Sequence, residues 1–364
     1  MKRVLVIGKS GQLARCLRNE SKTFATLDIA FVGGNECDVL SPWPAGKRAG
    51  LYRWPHIEPG TGSGVPNRVG PDTIINTAAF HDLRACEADF DTALRVNALG
   101  VANILSAMPQ GCHLYHLSTD YVFDGGHPNT AIGTVTAWHP YTIHDRTKPL
   151  SNYARTKRAG ELIALDSGRA TVIRTASLFS KYGSTGKGGN NFLLTMLKKT
   201  MSPLPAPNIE EARLRKDHSL MDDEVKLADA MLDWRCKNRI EVDSDVMMSP
   251  TYTPWLARAI LHMVSEDLKP PLAHLVCDGP PVSWFEFARA IFETGADGGR
   301  NPVAETVPMF QDALDRLVPK QSDSWPPRPK FSALENSLPH VKIGDWRSAL
   351  EHFFRNEWPN TKEV

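Results

Sequence analysis

Tyr153 and Lys157 stand four residues apart in a stretch of helical periodicity, Tyr153 to Leu165, so both side chains leave one face of a helix. A phenol that ionises near pH ~10 is a poor acid or base at neutrality, and a cation beside it is expected to favour the phenolate and lower that pKa. Such a pair can give a proton to a carbonyl oxygen while hydride reaches its carbon, and the ammonium can also hold ribose hydroxyls. The spacing alone is common on exposed helix faces. It gains weight from Ser118-Thr119-Asp120-Tyr121-Val122-Phe123-Asp124-Gly125, which follows the apolar run His113 to Leu117. Open α/β sheets meet their ligands at the carboxyl ends of strands. A hydroxyl placed there, that of Thr119, can hydrogen-bond a substrate carbonyl and polarise it.

A second constellation opens the chain. Val4-Leu5-Val6-Ile7 is a continuous apolar run of the kind found in a parallel strand buried on both faces, and Gly8-Lys9-Ser10-Gly11-Gln12-Leu13-Ala14 follows at once. This G-x-x-G-x-x-A turn lets backbone amides approach a pyrophosphate and lets the following helix pack on the sheet. The helix N-terminus adds the positive end of its dipole. Asn76-Thr77-Ala78-Ala79, after another apolar run, offers small residues and amides to the nicotinamide side of a dinucleotide. Past the second strand, Val32-Gly33-Gly34-Asn35-Glu36 satisfies neither the acid that reads the ribose 2′-hydroxyl of NAD nor the arginine that accommodates the 2′-phosphate of NADP. NADPH and NADH both remain open as cofactor. Asp38 and Val39 lie where an adenine contact is expected, although a surface aspartate fits Asp38 equally well.

Positioning these groups requires strands and helices in alternation. Apolar runs recur at Ile29 to Val32, Thr73 to Asn76, His113 to Leu117 and Thr171 to Ile173, with helical spacing from Asp91 to Ala107 and again from Tyr153. The pattern predicts an α/β fold, a Rossmann-type doubly wound parallel sheet with a smaller C-terminal α/β substrate domain. Residues 1–175 form the dinucleotide-binding domain in this reading, with part of its core continuing later, and 176–364 form mainly the substrate-binding region. Stretches rich in Pro, Gly and turn formers at 41–71 and 125–140, and a charged insertion at 202–238, read as excursions. Pro254 to Val264, Val282 to Phe292 and Trp346 to Phe354 are expected helices.

The 364 residues carry a net charge of +1, which gives no basic footprint for nucleic acid. The six cysteines are scattered without C-x-x-C, so neither a disulfide framework nor a metal site is expected. No apolar stretch approaches a membrane span or a signal sequence, which points to a cytoplasmic protein.

These motifs together resemble the dTDP-4-dehydrorhamnose reductase family of extended short-chain dehydrogenases. The likeness is carried by Gly8 to Leu13, Ile75 to Ala79, His116 to Gly125, Pro149 to Glu161, Ile173-Arg174-Thr175, Asn190-Asn191-Phe192, Ser249 to Thr253 and Arg328-Pro329 with Ser332 and Leu334. It implies an NAD(P)H-dependent reductase of a keto group on a nucleotide-activated deoxysugar. Thr119, Tyr153 and Lys157 then match the catalytic residues, and Gly8, Gly11, Gln12, Leu13, Ala78 and Ala79 the cofactor site. The departures fall on the substrate side. Leu83-Arg84 replaces a Val-Asp pair, Ser177 stands where a Trp is usual, and Asp245-Val246-Met247-Met248 replaces Asp-Gln-aromatic-Gly. Arg84, Ser177, Asn191 and Met247 are the substrate candidates. An epimerase or dehydratase of the same superfamily, and a non-catalytic dinucleotide-binding regulatory subunit, are the alternatives, and a homodimer is compatible with each.

Overall fold

The computed structural model describes residues 1–34, 39, 70–126, 139–184, 186, 188–201, 229, 238–297, 307–322 and 325–358. Asp38 and most of the three excursions lie outside the described residues. The chain divides into two compact units: one holds Met1–Asn191, Val246–Val282 and Asp323–Ala349, the other Phe192–Asp245, Ser283–Ser322 and Leu350–Val364.

The first unit is built on a sheet of β1 (Lys2–Ile7), β2 (Leu27–Val32), β3 (Thr73–Asn76), β4 (His113–Thr119) and β5 (Ala170–Thr175) with a sixth strand, Leu272–His274. Their order is Leu272–His274, β5, β4, β3, β1, β2, and every pairing is parallel. The expected α/β, doubly wound class is what forms, and a strand from beyond residue 175 completes the sheet. Val4, Val6, Ile75 and Leu114 are wholly or almost wholly buried, as continuous apolar strands covered on both faces require. β1 lies between β2 and β3, so the chain leaves it in opposite directions and opens a crevice at the carboxyl ends.

Register sets the depth of the site. Ile7 is level with Val32 and Asn76, and Asn76 with His116, whereas β4 runs on to Thr119. Thr119 therefore stands about 10 Å beyond that level at ~3.3 Å per residue.

Helix α1 (Gln12–Glu20) follows the glycine turn. The predicted long helix from Asp91 to Ala107 is instead α3 (Phe90–Leu94), a π-helical segment (Arg95–Leu99) and α4 (Gly100–Ala107), preceded by the short α2 (Leu83–Ala88). The π segment has a visible cause in Asn97. Its side-chain oxygen accepts from Phe80 N at 2.9 Å, and its nitrogen donates to Phe80 O at 2.8 Å and Thr156 Oγ1 at 3.1 Å. One widened turn thus ties the loop after β3 to helix α5 (Asn152–Asp166). Helix α5 starts at Ser151, whose side chain accepts from Ala154 N, and Glu87 accepts from Asn152 N at 2.7 Å.

In the second unit, Ile240–Asp243 pairs in parallel with Leu317–Lys320. Around them lie helices Phe192–Met201, Trp284–Ala296 and Val307–Arg316. Ser283 and Glu286 form a reciprocal capping box at the start of Trp284–Ala296. Arg316 binds Asp312 at 2.7 Å and the carbonyls of Lys199 and Asn238.

Close approach of α5 to the π segment depends on Gly160, where an added Cβ would lie 2.2 Å from Asn97 O. Helix propensity alone would favour Gly160→Ala by about 1 kcal/mol. Overpacking against a backbone carbonyl costs about 1–3 kcal/mol and cannot be relieved by rotating a side chain, so the variant is expected to be destabilised. A lower urea midpoint at unchanged slope checks this.

Candidate active site

At the crevice the backbone of the first turn is locked to its neighbours. Gly8 N and Lys9 N donate to Val32 O at 2.9 and 3.0 Å, and Thr77 N and Oγ1 donate to Ile7 O at 3.0 and 2.8 Å. Gly8 has φ +97, and a Cβ there would lie 2.7 Å from Thr77 Oγ1 and 3.0 Å from Ala78 N. Both the conformation and the contact demand glycine. Gly11 is the N-cap of α1 and offers no side-chain cap, which leaves the first amides of the helix for an anionic ligand. This cradle fits the pyrophosphate of a dinucleotide.

The remaining cofactor candidates have separate tasks. Leu13 is buried under the turn. Gln12 turns its side chain to Thr253 Oγ1 at 2.8 Å, so only its backbone stays at the crevice. Ala78 and Ala79 are half-buried at the β3 loop, with Ala78 N held by Asn76 Oδ1 at 3.1 Å. Val39 is buried against α4, and its carbonyl accepts from Asn103 at 2.8 Å.

Thr119, Tyr153 and Lys157 meet at the end of β4. Lys157 is 2 % exposed, and its Nζ donates to Leu117 O at 2.6 Å. Burial lowers its pKa to about 8, against the raising effect of Glu161 one turn further along α5. Burial raises the Tyr153 pKa above that of a free phenol, with Asp120 adding to the rise and the neighbouring Thr119 hydroxyl opposing it. The expected lowering by Lys157 is therefore corrected: desolvation dominates, and the ammonium is spent first on a backbone carbonyl. Thr119 Oγ1 donates to Asp120 Oδ1 at 3.0 Å and accepts from Tyr121 N at 3.2 Å.

Below this trio lies a charged layer that the sequence did not reveal. Glu161 is fully buried and pairs with Arg174 of β5 at 2.8 and 2.9 Å and with Arg158 at 2.7 Å. Burial works to raise the Glu161 carboxyl, but the Arg174 guanidinium outweighs it and the net shift is downward. His274 donates through Nδ1 to Tyr141 O and accepts from Arg174 at Nε2, the tautomer that these partners select, and burial lowers its pKa to about 3.

The substrate candidates differ in setting. Arg84 is exposed on α2. Ser177 follows β5 with φ +45, a strained backbone for a non-glycine residue. Met247 is half-buried against the cluster of Val122, Phe123, Tyr141 and Phe331, and its backbone joins Lys330 O and Ser332 N. Asn191 is buried and donates to Ser180 O and Tyr182 O at 2.8 and 3.0 Å, so it staples its own loop. Of that loop, only Asn190 and Asn191 were singled out from sequence. Tyr182 is held by Asn19 at 2.7 Å and lies under the Arg15 guanidinium, while Ser184 hydrogen-bonds His81 after β3.

Residues 1–207 and 225–357 match the family described as the RmlD substrate binding domain. A spore coat polysaccharide biosynthesis protein, SpsK, of Bacillus subtilis is 28% identical over 98% of both chains. A dTDP-4-dehydrorhamnose reductase of Mycobacterium tuberculosis is 30% identical over 77% of this chain and 75% of its own. The crystal structure of a dTDP-4-dehydrorhamnose reductase from Bacillus anthracis in complex with NADP shares the fold, with a TM-score of 0.68 and 22% identity over 98% of this chain and 100% of that one. The chain belongs to this family. No described helix is long and apolar enough to cross a membrane.

Asp120 is 3 % exposed, and its Oδ2 has no hydrogen-bond partner among the described residues. Burial raises its pKa to about 6, opposed by the Ser332 and Thr119 hydroxyls. A carboxyl that is harder to ionise when folded binds more protons in the native state, so its contribution to stability falls as pH rises from about 4 to about 6. Asp120→Asn is expected to remove that fall, which the difference between wild-type and variant unfolding free energies across this range measures.

Proposed function

We propose that this chain, an NAD(P)-dependent oxidoreductase, reduces a keto group on a dTDP-linked deoxysugar, with Tyr153 as the proton donor. The reading is carried by the convergence of Thr119, Tyr153 and a buried, charged Lys157 at the end of β4, in the same unit as the glycine cradle. The dTDP-linked substrate class is taken from the named activities of the relatives.

Bound in the cradle, a reduced nicotinamide supplies hydride to the carbonyl carbon. Tyr153 is kept protonated by burial, as a proton donor must be. Its proton passes from Oη to the carbonyl oxygen as that oxygen gains charge, and a secondary alcohol results. Thr119, a neighbour of the Tyr153 phenol, marks where that oxygen sits. One Lys157 proton is committed to Leu117 O, which leaves two for ribose hydroxyls and for steadying the phenolate left after transfer. Asp120 fixes the Thr119 hydroxyl rotor. Ser177, Met247 and Arg84 give the substrate side a less aromatic character than the family pattern, which favours a keto-sugar other than the rhamnose precursor.

Incubation with dTDP-linked keto-sugars and reduced cofactor tests the reading: one cofactor is oxidised per sugar consumed. Product without net cofactor change would instead mark an epimerase or dehydratase, and cofactor binding without turnover a regulatory subunit. Tyr153→Phe is expected to lower turnover at least ~10²-fold while cofactor affinity stays within a few-fold. Lys157→Met is expected to weaken both. Because Lys157 loses its proton near pH 8 in the free protein, cofactor affinity is expected to decline above about pH 8, as fluorescence titration at fixed ionic strength would record.

A further inference from the structure

Thr119 has one hydroxyl proton, and in this structure that proton is already engaged. Oγ1 donates to Asp120 Oδ1 at 3.0 Å and accepts from Tyr121 N at 3.2 Å. A proton held by a carboxylate is not free for a substrate carbonyl, so polarisation of a keto group by Thr119 requires the bond to Asp120 to reverse. Asp120 is placed where it can. Its carboxyl is 3 % exposed, and Oδ2 has no hydrogen-bond partner among the described residues, so its charge is poorly compensated on one side. Facing it are the Thr119 and Ser332 hydroxyls and, from α5, the Tyr153 phenol, and none of these is a cation. Desolvation accordingly holds the carboxyl up to about 6. When Asp120 takes a proton, its O–H can donate to Thr119 Oγ1. Both acceptor positions of Oγ1 are then filled, by Asp120 and by Tyr121 N, and the Thr119 proton is released to the crevice.

We propose that Asp120 is a positioning residue that sets the direction of the Thr119 hydroxyl, and that its neutral acid is the state in which Thr119 polarises the keto group. The proposal rests on the reductase reading and deepens it. Asp120 keeps its proton throughout, and Tyr153 remains the group that gives one to the oxygen. The other buried groups of the site hold one charge state from about pH 5.5 to about pH 7.5. His116 and His274 are kept neutral by burial, Glu161 is ionised beside Arg174, Lys157 titrates near 8 and Tyr153 higher than a free phenol. His81, on the loop after β3, is a further imidazole at the crevice, and the variants below separate it from Asp120.

Initial rates of reduced-cofactor oxidation with a dTDP-linked keto-sugar, at saturating cofactor, give kcat/KM for the sugar across that range. Wild type is expected to lose at least ~10-fold from the acid to the alkaline end, through a midpoint near 6. Asp120→Asn cannot ionise and is expected to give a flat profile. Thr119→Val is expected to fall below wild type at the acid end and to lose most of the slope, because the carboxyl acts through the hydroxyl. Adding Asp120→Asn to Thr119→Val should then change little. Melting temperatures of the ligand-free variants monitor the fold, and if Asp120→Asn melts early, Thr119→Val carries the same test. A flat wild-type profile, a slope that survives in Asp120→Asn, or an undiminished slope in Thr119→Val overturns the role of Asp120 and leaves the reductase reading standing. No net oxidation of cofactor by wild type with dTDP-linked keto-sugars overturns both.

Discussion

Glu161 and Arg174 form the contact on which the active site depends. Neither charge can be buried alone, because an ion withdrawn from water loses several kcal/mol of solvation that only a close partner returns. Arg174 is fixed by the register of β5 against β4, so Glu161 can meet it in one rotation and one axial position of α5. Glu161 lies one turn beyond Lys157 and two beyond Tyr153 on the same helix face. Once the ion pair is closed, the other two residues are delivered to the end of β4. Such a pair adds little net stability, because replacing both partners of a buried ion pair by apolar groups is often neutral or stabilising, and its consequence here is placement.

The same burial that makes the pair obligatory tunes the groups above it, and in opposite senses. Removing water raises the Tyr153 phenol and lowers the Lys157 ammonium, because each shift favours the neutral form. The Glu161 carboxylate resists the second shift and keeps Lys157 charged at neutral pH. A protonated phenol is the state from which a proton can leave towards a developing alkoxide. Asp120, just under the Thr119 hydroxyl, is raised by the same desolvation. The protonation states of these buried groups therefore follow from removal of water together with one retained ion pair.

Geometry at the crevice is enforced by backbone rather than side chains. Gly8 holds a positive φ and could not gain a Cβ without striking the loop after β3, and a Cβ on Gly160 would strike the Asn97 carbonyl. Asn97, within the π turn, anchors the N–H and the carbonyl of Phe80 and the hydroxyl of Thr156. The glycine turn, the loop after β3 and α5 are thus coupled through short contacts that tolerate little change in volume.

Local pattern was enough to find what has a local cause. A continuous apolar run reads as a parallel strand because both of its faces must be covered, and Gly8 to Ala14 reads as a phosphate turn because its place after β1 leaves few other uses for such residues. Tyr153 and Lys157 were legible from the helical repeat and Thr119 from the end of its strand, so the α/β class followed from sequence, as did the three residues proposed here for the chemistry. The second set of properties arises between segments distant along the chain. The Glu161 to Arg174 pair, the Asn97 clamp, the Ser180 to Asn191 loop against His81 and the strand Leu272–His274 in the sheet each join residues whose spacing carries no periodic signal. The direction of the Tyr153 shift belongs there too. Sequence places a cation four residues away, but only the packed structure shows that the ammonium meets the Leu117 carbonyl and that desolvation of the phenol outweighs it.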